Sequence, residues 1–315
     1  MIGLLVLLAI GLIVAWFTAV VHVILALTHP PKRGYSWALA RGLPSDPSEL
    51  DSPLAFETWR FAWRGLELPV WDIRTGRGDG PTVIVTHGWG ESRVMSLSRI
   101  MAVAPMAARI IAWDLPGHGD AKGRCSLGTL EVDALLAIIE AVGADRTVLM
   151  GWSLGAGVSI AAAAMKTEVI DRVIAEAPYR IALTPARNVM RMMHMPHRTT
   201  LAPAMAWLGL RFMGSAAWHG RGGGPGFDRA QHAARLACPL LVIHGSDDDI
   251  CPPEDGRDIA AAAALGEFVL VAGGQHQTLW EDSGTRDVCV QRISAFLRAG
   301  YEPMRVMSNS DARSS

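Results

Sequence analysis

Five residues, Gly151-Trp152-Ser153-Leu154-Gly155, limit what this chain can fold into more than any others. They follow an apolar run, Thr147-Val148-Leu149-Met150, that reads as a strand, and they precede a small-residue stretch, residues 156–164, that reads as a helix. Gly-x-Ser-x-Gly between a strand and a helix is a nucleophile elbow. The turn is so sharp that its serine holds strained backbone angles, and side chains two positions to either side would strike the neighbouring strand and helix. It lifts the hydroxyl clear of the sheet and leaves the next N–H, that of Leu154, free to meet an oxyanion. Ser153 is the expected nucleophile.

A serine nucleophile needs a base, and the base needs an orienting acid. After this elbow the expected chain order is acid, then histidine, so both are sought C-terminally. Pro239-Leu240-Leu241-Val242-Ile243-His244-Gly245 reads as a strand running into the turn Ser246-Asp247-Asp248-Asp249-Ile250-Cys251-Pro252. Glu267-Phe268-Val269-Leu270-Val271 reads as another, ending at Ala272-Gly273-Gly274-Gln275-His276. Both turns lie just past strand C-termini, the edge of an α/β sheet where ligands collect.

Two further loops complete the pattern: His87-Gly88-Trp89-Gly90 after the strand Thr82-Val83-Ile84-Val85-Thr86, and Asp114-Leu115-Pro116-Gly117-His118-Gly119 after Arg109-Ile110-Ile111-Ala112-Trp113. With these five motifs in order, residues 66–297 resemble the α/β-hydrolase superfamily, specifically its small serine esterase, lipase and acylglycerol-lipase-like members. The resemblance implies a mostly parallel sheet flanked by helices, with a helical lid inserted at about residues 179–236. It implies Ser153 as nucleophile, Asp248 as orienting acid and His276 as general base, with the backbone N–H groups of Trp89 and Leu154 as oxyanion donors. The family's turn pattern, Gly-x-x-Asp-x-x-x-Pro, is similar to Gly245 to Pro252 here and implies Asp248 rather than Asp247 and Asp249, which read as solvated turn residues. Glu176, at the end of Arg172-Val173-Ile174-Ala175, is the rival acid. His87, His118 and His244 read as loop or strand-end supports. The resemblance calls for neither a metal nor an organic cofactor, and His194 and His197, separated by Pro196, are poorly placed to hold zinc.

Residues 2–27 contain a single strongly polar side chain, His22, and about 20 apolar residues suffice to span a bilayer. A signal peptide would carry a basic start and a shorter apolar core of ~7–15 residues, so a retained single-pass anchor is expected. Lys32, Arg33 and Arg41 follow it, which by the positive-inside rule places the rest of the chain in the cytoplasm. Cys125, Cys238, Cys251 and Cys289 show no metal spacing; free thiols suit a reducing compartment, and two disulfides remain the other possibility.

Prolines at 30, 31, 44, 47 and 53 mark residues 28–65 as a linker and lead-in; residues 66–300 fit one α/β domain, and the polar residues 301–315 read as a disordered tail. Within the insertion, residues 179–235 hold eight arginines against one acid, Asp228, in a chain whose net charge is −1. Arg187, Arg191 and His194 share one helical face, with Val189, Met192 and Met193 opposite. A second apolar cluster runs from Ala204 to Met213, and Gly220 to Gly226 supplies a flexible return. Such a segment is either a lid with solvated arginines or one that lies on anionic lipid. Nucleic acid is a poor partner for a near-neutral chain with no recognised module.

The expected function is a membrane-anchored serine hydrolase cleaving a carboxylic ester of a lipid or other apolar acyl compound. Acyl transfer through the same acyl-enzyme, and a silent hydrolase fold tethered to a membrane as an interaction module, stay open as alternatives. The acyl length, the head group and the leaving atom (ester, thioester or amide) depend on pocket shape.

Overall fold

The computed structural model describes residues 2–166, 168–212 and 228–299. In chain order the helices are α1 (Ile2–Thr28), α2 (Tyr35–Leu39), α3 (Leu97–Val103), α4 (Leu130–Val142), α5 (Leu154–Ala163), α6 (Leu183–Met192), α7 (His197–Phe212), α8 (Arg229–Ala233), α9 (Pro253–Ala262) and α10 (Ser283–Arg298). The strands are β1 (Ala55–Trp63), β2 (Leu66–Arg74), β3 (Thr82–Thr86), β4 (Arg109–Trp113), β5 (Thr147–Trp152), β6 (Ile170–Glu176), β7 (Leu240–Gly245) and β8 (Gly266–Val271). They form one sheet in the order β1-β2-β4-β3-β5-β6-β7-β8. The β1–β2 and β2–β4 pairs are antiparallel and the rest parallel.

The central strands β3, β5 and β7 are buried along their whole length, which is why they read as unbroken apolar runs rather than as alternating ones. Side chains still alternate between faces. Ile84, Leu149 and Val173 point into a layer shared with α4, α5 and α9, whereas Val83, Val148, Met150 and Ile174 pack beneath α3 and α10. The edge strand β1 is different: its exposed positions carry Glu57, Thr58 and Arg60, polar groups that suit an unpaired edge.

Three expectations need correction. The sheet begins at Ala55, not at 66, because the Ala55–Trp63 segment pairs residue by residue with β2. The elbow strand runs on to Trp152, and α5 starts directly at Leu154. The face expected of Arg187, Arg191 and His194 is incomplete, and the described arginines of residues 179–235 are not all solvated. Arg180 is held by Asp228 and Asp258, and Arg229 is fully buried against Tyr179. His194 has left the helix with φ 54°, whereas Arg187, Arg191 and Arg198 are exposed. The Gly220–Gly226 run, Met213 and the 301–315 tail lie outside the described residues. Among those described, the four cysteines are free and buried.

α1 is the one described helix long and apolar enough to cross a membrane. Its first two thirds are exposed, while Val20 and Val23 join the core layer that contains α4 and α5.

Candidate active site

Ser153 sits between β5 and α5 at φ 52°, ψ −111°, the strained geometry expected of the turn. Its flanking glycines are obligatory. A Cβ on Gly151 would lie 2.2 Å from the Gly155 carbonyl oxygen, and one on Gly155 would lie 2.0 Å from that of Thr86. The Ser153 N–H donates to the Glu176 carbonyl at 2.8 Å, tying the turn to the end of β6.

The turns after β7 and β8 bring the other two predicted residues to it. His276 Nε2 lies 3.1 Å from Ser153 Oγ, and Nδ1 lies 2.7 Å from Asp248 Oδ2. All three side chains are buried. The other carboxylate oxygen, Asp248 Oδ1, accepts the N–H groups of Ile250 and Cys251 at 3.0 and 2.7 Å. Burial pushes this carboxyl up, but hydrogen bonds from His244 and His276 and the Cys251 N–H outweigh it, leaving the group at about 2. Asp248 is thus ionised at neutral pH, so the His276 proton belongs on Nδ1 and the Nε2 lone pair faces Ser153. Such a chain can accept a proton from the serine hydroxyl as it attacks a carbonyl.

Asp247 and Asp249 take no part: Asp247 accepts a hydrogen bond from Ser246 Oγ at the surface. Glu176, the rival acid, is committed elsewhere. Arg99 holds it through two hydrogen bonds of 2.8 and 2.5 Å, and the Trp280 indole N–H adds a third at 2.8 Å. The Arg99 guanidinium also lies 4.6 Å over the Trp152 ring, so this ion pair braces the residue that precedes Ser153. Neither Arg99 nor Trp280 carries a sequence signal; only the fold brings them to Glu176. His244, expected to support the end of its strand, also holds the acid. Its Nε2 lies 2.8 Å from the Cys251 carbonyl oxygen and 3.2 Å from Asp248 Oδ2, giving the acid a histidine on each side. Its position four residues before Asp248, at a strand end, was the available clue.

Among the described residues, the N–H groups of Trp89 and Leu154 are spent on no backbone hydrogen bond, and both residues border the same cavity as Ser153 and His276. His87 and His118 support their loops. His87 Nε2 accepts the Leu115 N–H at 3.0 Å, and His118 Nδ1 donates to the Pro116 carbonyl. Burial holds His118 down to about 4, so it stays neutral. The cavity has a volume of about 340 Å³, at the small end of the ligand-pocket range, and its walls are mainly apolar.

A model of the alpha/beta hydrolase family matches residues 83–289. The chain belongs to that family. An uncharacterized protein of Mycobacterium tuberculosis is 28% identical over 219 residues, spanning 67% of this chain and 69% of its own. The lysophosphatidylserine lipase of Danio rerio is 22% identical over 253 residues, spanning 73% of this chain and 62% of its own. Among solved structures, an esterase of Pyrococcus furiosus superposes with a TM-score of 0.64 at 19% identity, over 87% of this chain and 98% of its own; that likeness is one of fold. Family membership supports a hydrolase. Its substrate has to be argued from the site.

Proposed function

We propose that this protein is a membrane-anchored serine hydrolase that cleaves a carboxylic ester of a lipid or another apolar acyl compound. The observation that carries the reading is the hydrogen-bonded series Ser153, His276, Asp248 at the floor of an apolar cavity. Ser153 Oγ attacks the ester carbonyl as His276 Nε2 takes its proton. The oxyanion is met by the N–H groups of Trp89 and Leu154, and Asp248 stabilises the imidazolium through Nδ1. Collapse of the intermediate breaks the bond to the alkoxy oxygen, which leaves with the proton from His276. Water, deprotonated by the same nitrogen, then releases the acid and restores Ser153.

The lipid part of the reading is supported by the apolar helix α1 and by the lipase of Danio rerio among the relatives. The stretch between β6 and β7, which the resemblance reads as a lid, carries α6, α7 and α8. Lys32, Arg33 and Arg41 after α1 favour a cytoplasmic hydrolase domain.

A fluorophosphonate and a panel of acyl esters test this on the full chain in detergent. Wild type should be labelled on Ser153 and should hydrolyse esters, and Ser153→Ala should fold but do neither. Retention of more than ~1% of the hydrolysis by Ser153→Ala would reject the assignment, since loss of a triad nucleophile costs orders of magnitude more. An unlabelled, inactive wild type would instead point to a tethered interaction module, and products formed on added alcohols in preference to water would point to an acyltransferase.

A further inference from the structure

The last turns of α1 are built into the hydrolase domain rather than standing clear of it. Val20 and Val23 are 7% and 1% exposed, against 48% for Leu25 on the other side of the same helix. The end of the helix is held by hydrogen bonds. The Trp89 indole N–H donates to the Leu27 carbonyl at 3.1 Å, and the Cys125 N–H donates to that of Thr28 at 2.9 Å. These carbonyls are among the last four of the helix, which no helical N–H can satisfy. The chain beyond is held too: Ser92 Oγ donates to the Arg33 carbonyl at 2.6 Å, and Lys32 Nζ donates to that of Ala121 at 2.6 Å. Upstream, the Trp16 indole N–H reaches the Thr199 carbonyl of α7 at 3.1 Å. A mere tether has no need of this.

The placement puts one helical stripe, His22, Val23, Ala26 and Leu27, on the wall of the cavity that contains Ser153 and His276. The spacing i, i+1, i+4, i+5 is that of a single face. The facing wall comes from α6 and the residues just after it, with Met190, Met192, Met193 and Met195. Methionine is unbranched and polarizable, and it adapts to chains of differing shape. Where α1 ends, the cavity becomes polar: it is bordered there by Arg33 and by Glu91, 3.1 Å apart. Along α1 the site therefore passes from a charged pair at the helix end to an apolar slot flanked by a segment whose exposed side chains are mainly apolar.

We propose that the last two turns of α1 form part of the acyl-binding site, and that the substrate is a single-chain amphiphile drawn sideways from the bilayer between α1 and α6. The acyl chain lies against Val23 and Ala26, the ester reaches Ser153, and the polar head stays at the Arg33–Glu91 end. The cavity, about 340 Å³ in volume, has the room for an acyl chain along this face of α1. This rests on reading α1 as a membrane span and Ser153 as the nucleophile. It makes the anchor a determinant of specificity and not only of location.

The test uses the full chain in phosphatidylcholine vesicles. Ala26→Trp fills the slot from the α1 side, and Leu25→Trp places the same bulk on the face turned away. For p-nitrophenyl esters from acetyl to palmitoyl, Ala26→Trp should lower kcat/KM about tenfold or more on the long chains, the loss of two or more buried methylenes. Its loss should grow with chain length from acetyl to palmitoyl, whereas Leu25→Trp should leave the whole series within about twofold. A second readout needs no turnover: a diazirine-bearing palmitoyl lysophospholipid should label residues 22–27 of Ser153→Ala saturably, and Ala26→Trp should abolish this where Leu25→Trp does not. Equal chain-length profiles for the two tryptophan variants, together with labelling that does not saturate, overturn the proposal. A wild type that hydrolyses no ester but keeps saturable labelling on α1 supports the acyl site while rejecting the hydrolase reading. Normal hydrolysis with identical variants rejects the acyl site alone.

Discussion

Behind Ser153 there is no spare space, and across the cavity from it there is a good deal. A methyl group on Gly155 or Gly151 would overlap a carbonyl oxygen, and the floor is braced by a buried ion pair, Arg99–Glu176, clamped between the rings of Trp152 and Trp280. The opposite wall is made of methionines, of which Met192 and Met193 stay 53% and 65% exposed, and of a helix most of whose side chains are exposed. The floor has one workable sequence at several positions. The wall has many. Reaction geometry tolerates little error, while an acyl chain has no hydrogen bonds to direct and can be held by any adaptable apolar surface.

If this contrast holds, substitutions in the floor should cost far more than those in the wall. The largest effect is expected at the acid. Asp248→Asn should lower kcat by about 10⁴-fold, because an amide permits the wrong imidazole tautomer. Asp247→Asn and Asp249→Asn should stay within a few-fold, and kinetics of the three purified variants would rank them. A mild Asp248→Asn beside a crippled Glu176→Gln would mean that the acid belongs to β6.

Next comes the brace. Arg99→Ala strands the buried Glu176 carboxylate and should destabilise the fold by about 3–5 kcal/mol. Met192→Leu in the wall conserves volume and should cost under about 1.5 kcal/mol. Denaturant unfolding of both variants measures the difference directly; equal costs would erase the distinction between floor and wall.

Acid should act on the domain through its buried histidines. Burial holds His118 and His232 down to about 4 in the folded state, against 6.5 for an ordinary imidazole. The unfolded chain therefore binds protons first as pH falls. The stability these groups contribute is complete above 6.5 and is lost progressively toward 4, by up to about 3 kcal/mol each. Asp248 adds a second, lower window. Its folded value of about 2, below the ordinary 3.8, means that its contribution is lost only as pH falls through that interval. Denaturant midpoints at pH 7, 5.5 and 4 should decline in His118-containing protein and decline less in His118→Gln; parallel declines would show that His118 is not the group titrating.

The smallest effect concerns the outer surface of the wall. Arg187, Arg191 and Arg198 are exposed, and each should contribute about 1 kcal/mol of attraction to anionic head groups, weakened by salt. Replacing all three with glutamine should reduce the preference of the full chain for anionic over neutral vesicles in a flotation assay and leave hydrolysis of a soluble ester intact. An unchanged preference would make these arginines ordinary solvated side chains.

The difference between floor and wall also explains what could be read from the chain alone. The elbow, the turn after β7 and the turn after β8 are local: each is a strand end plus a glycine-bearing loop, and the steric demands that create them act within a few residues. The unbroken apolar runs of β3, β5 and β7 likewise follow from burial on both faces. Ser153 could be named on that basis, and Asp248 and His276 from the resemblance to the α/β-hydrolase superfamily; the three side chains lie in one hydrogen-bonded series. β1 was less legible, because an exposed edge strand mixes Glu57, Thr58 and Arg60 into its apolar positions, and its pairing depends on β2.

What only the tertiary structure decided is who meets whom across long separations. That Glu176 is neutralised by Arg99 rather than turned toward His276, that His244 shares Asp248, and that Arg229 is interior rather than part of a basic face all depend on side chains distant in sequence or on burial that no local pattern encodes. The same holds for α1. Its apolar composition predicts a membrane span, but its contact with the cavity joins segments far apart in the chain: the helix end, the loop after β3, the elbow and α6 meet because the sheet places β3, β5 and β6 side by side. Local sterics wrote the elbow into the sequence; strand order determined what surrounds it.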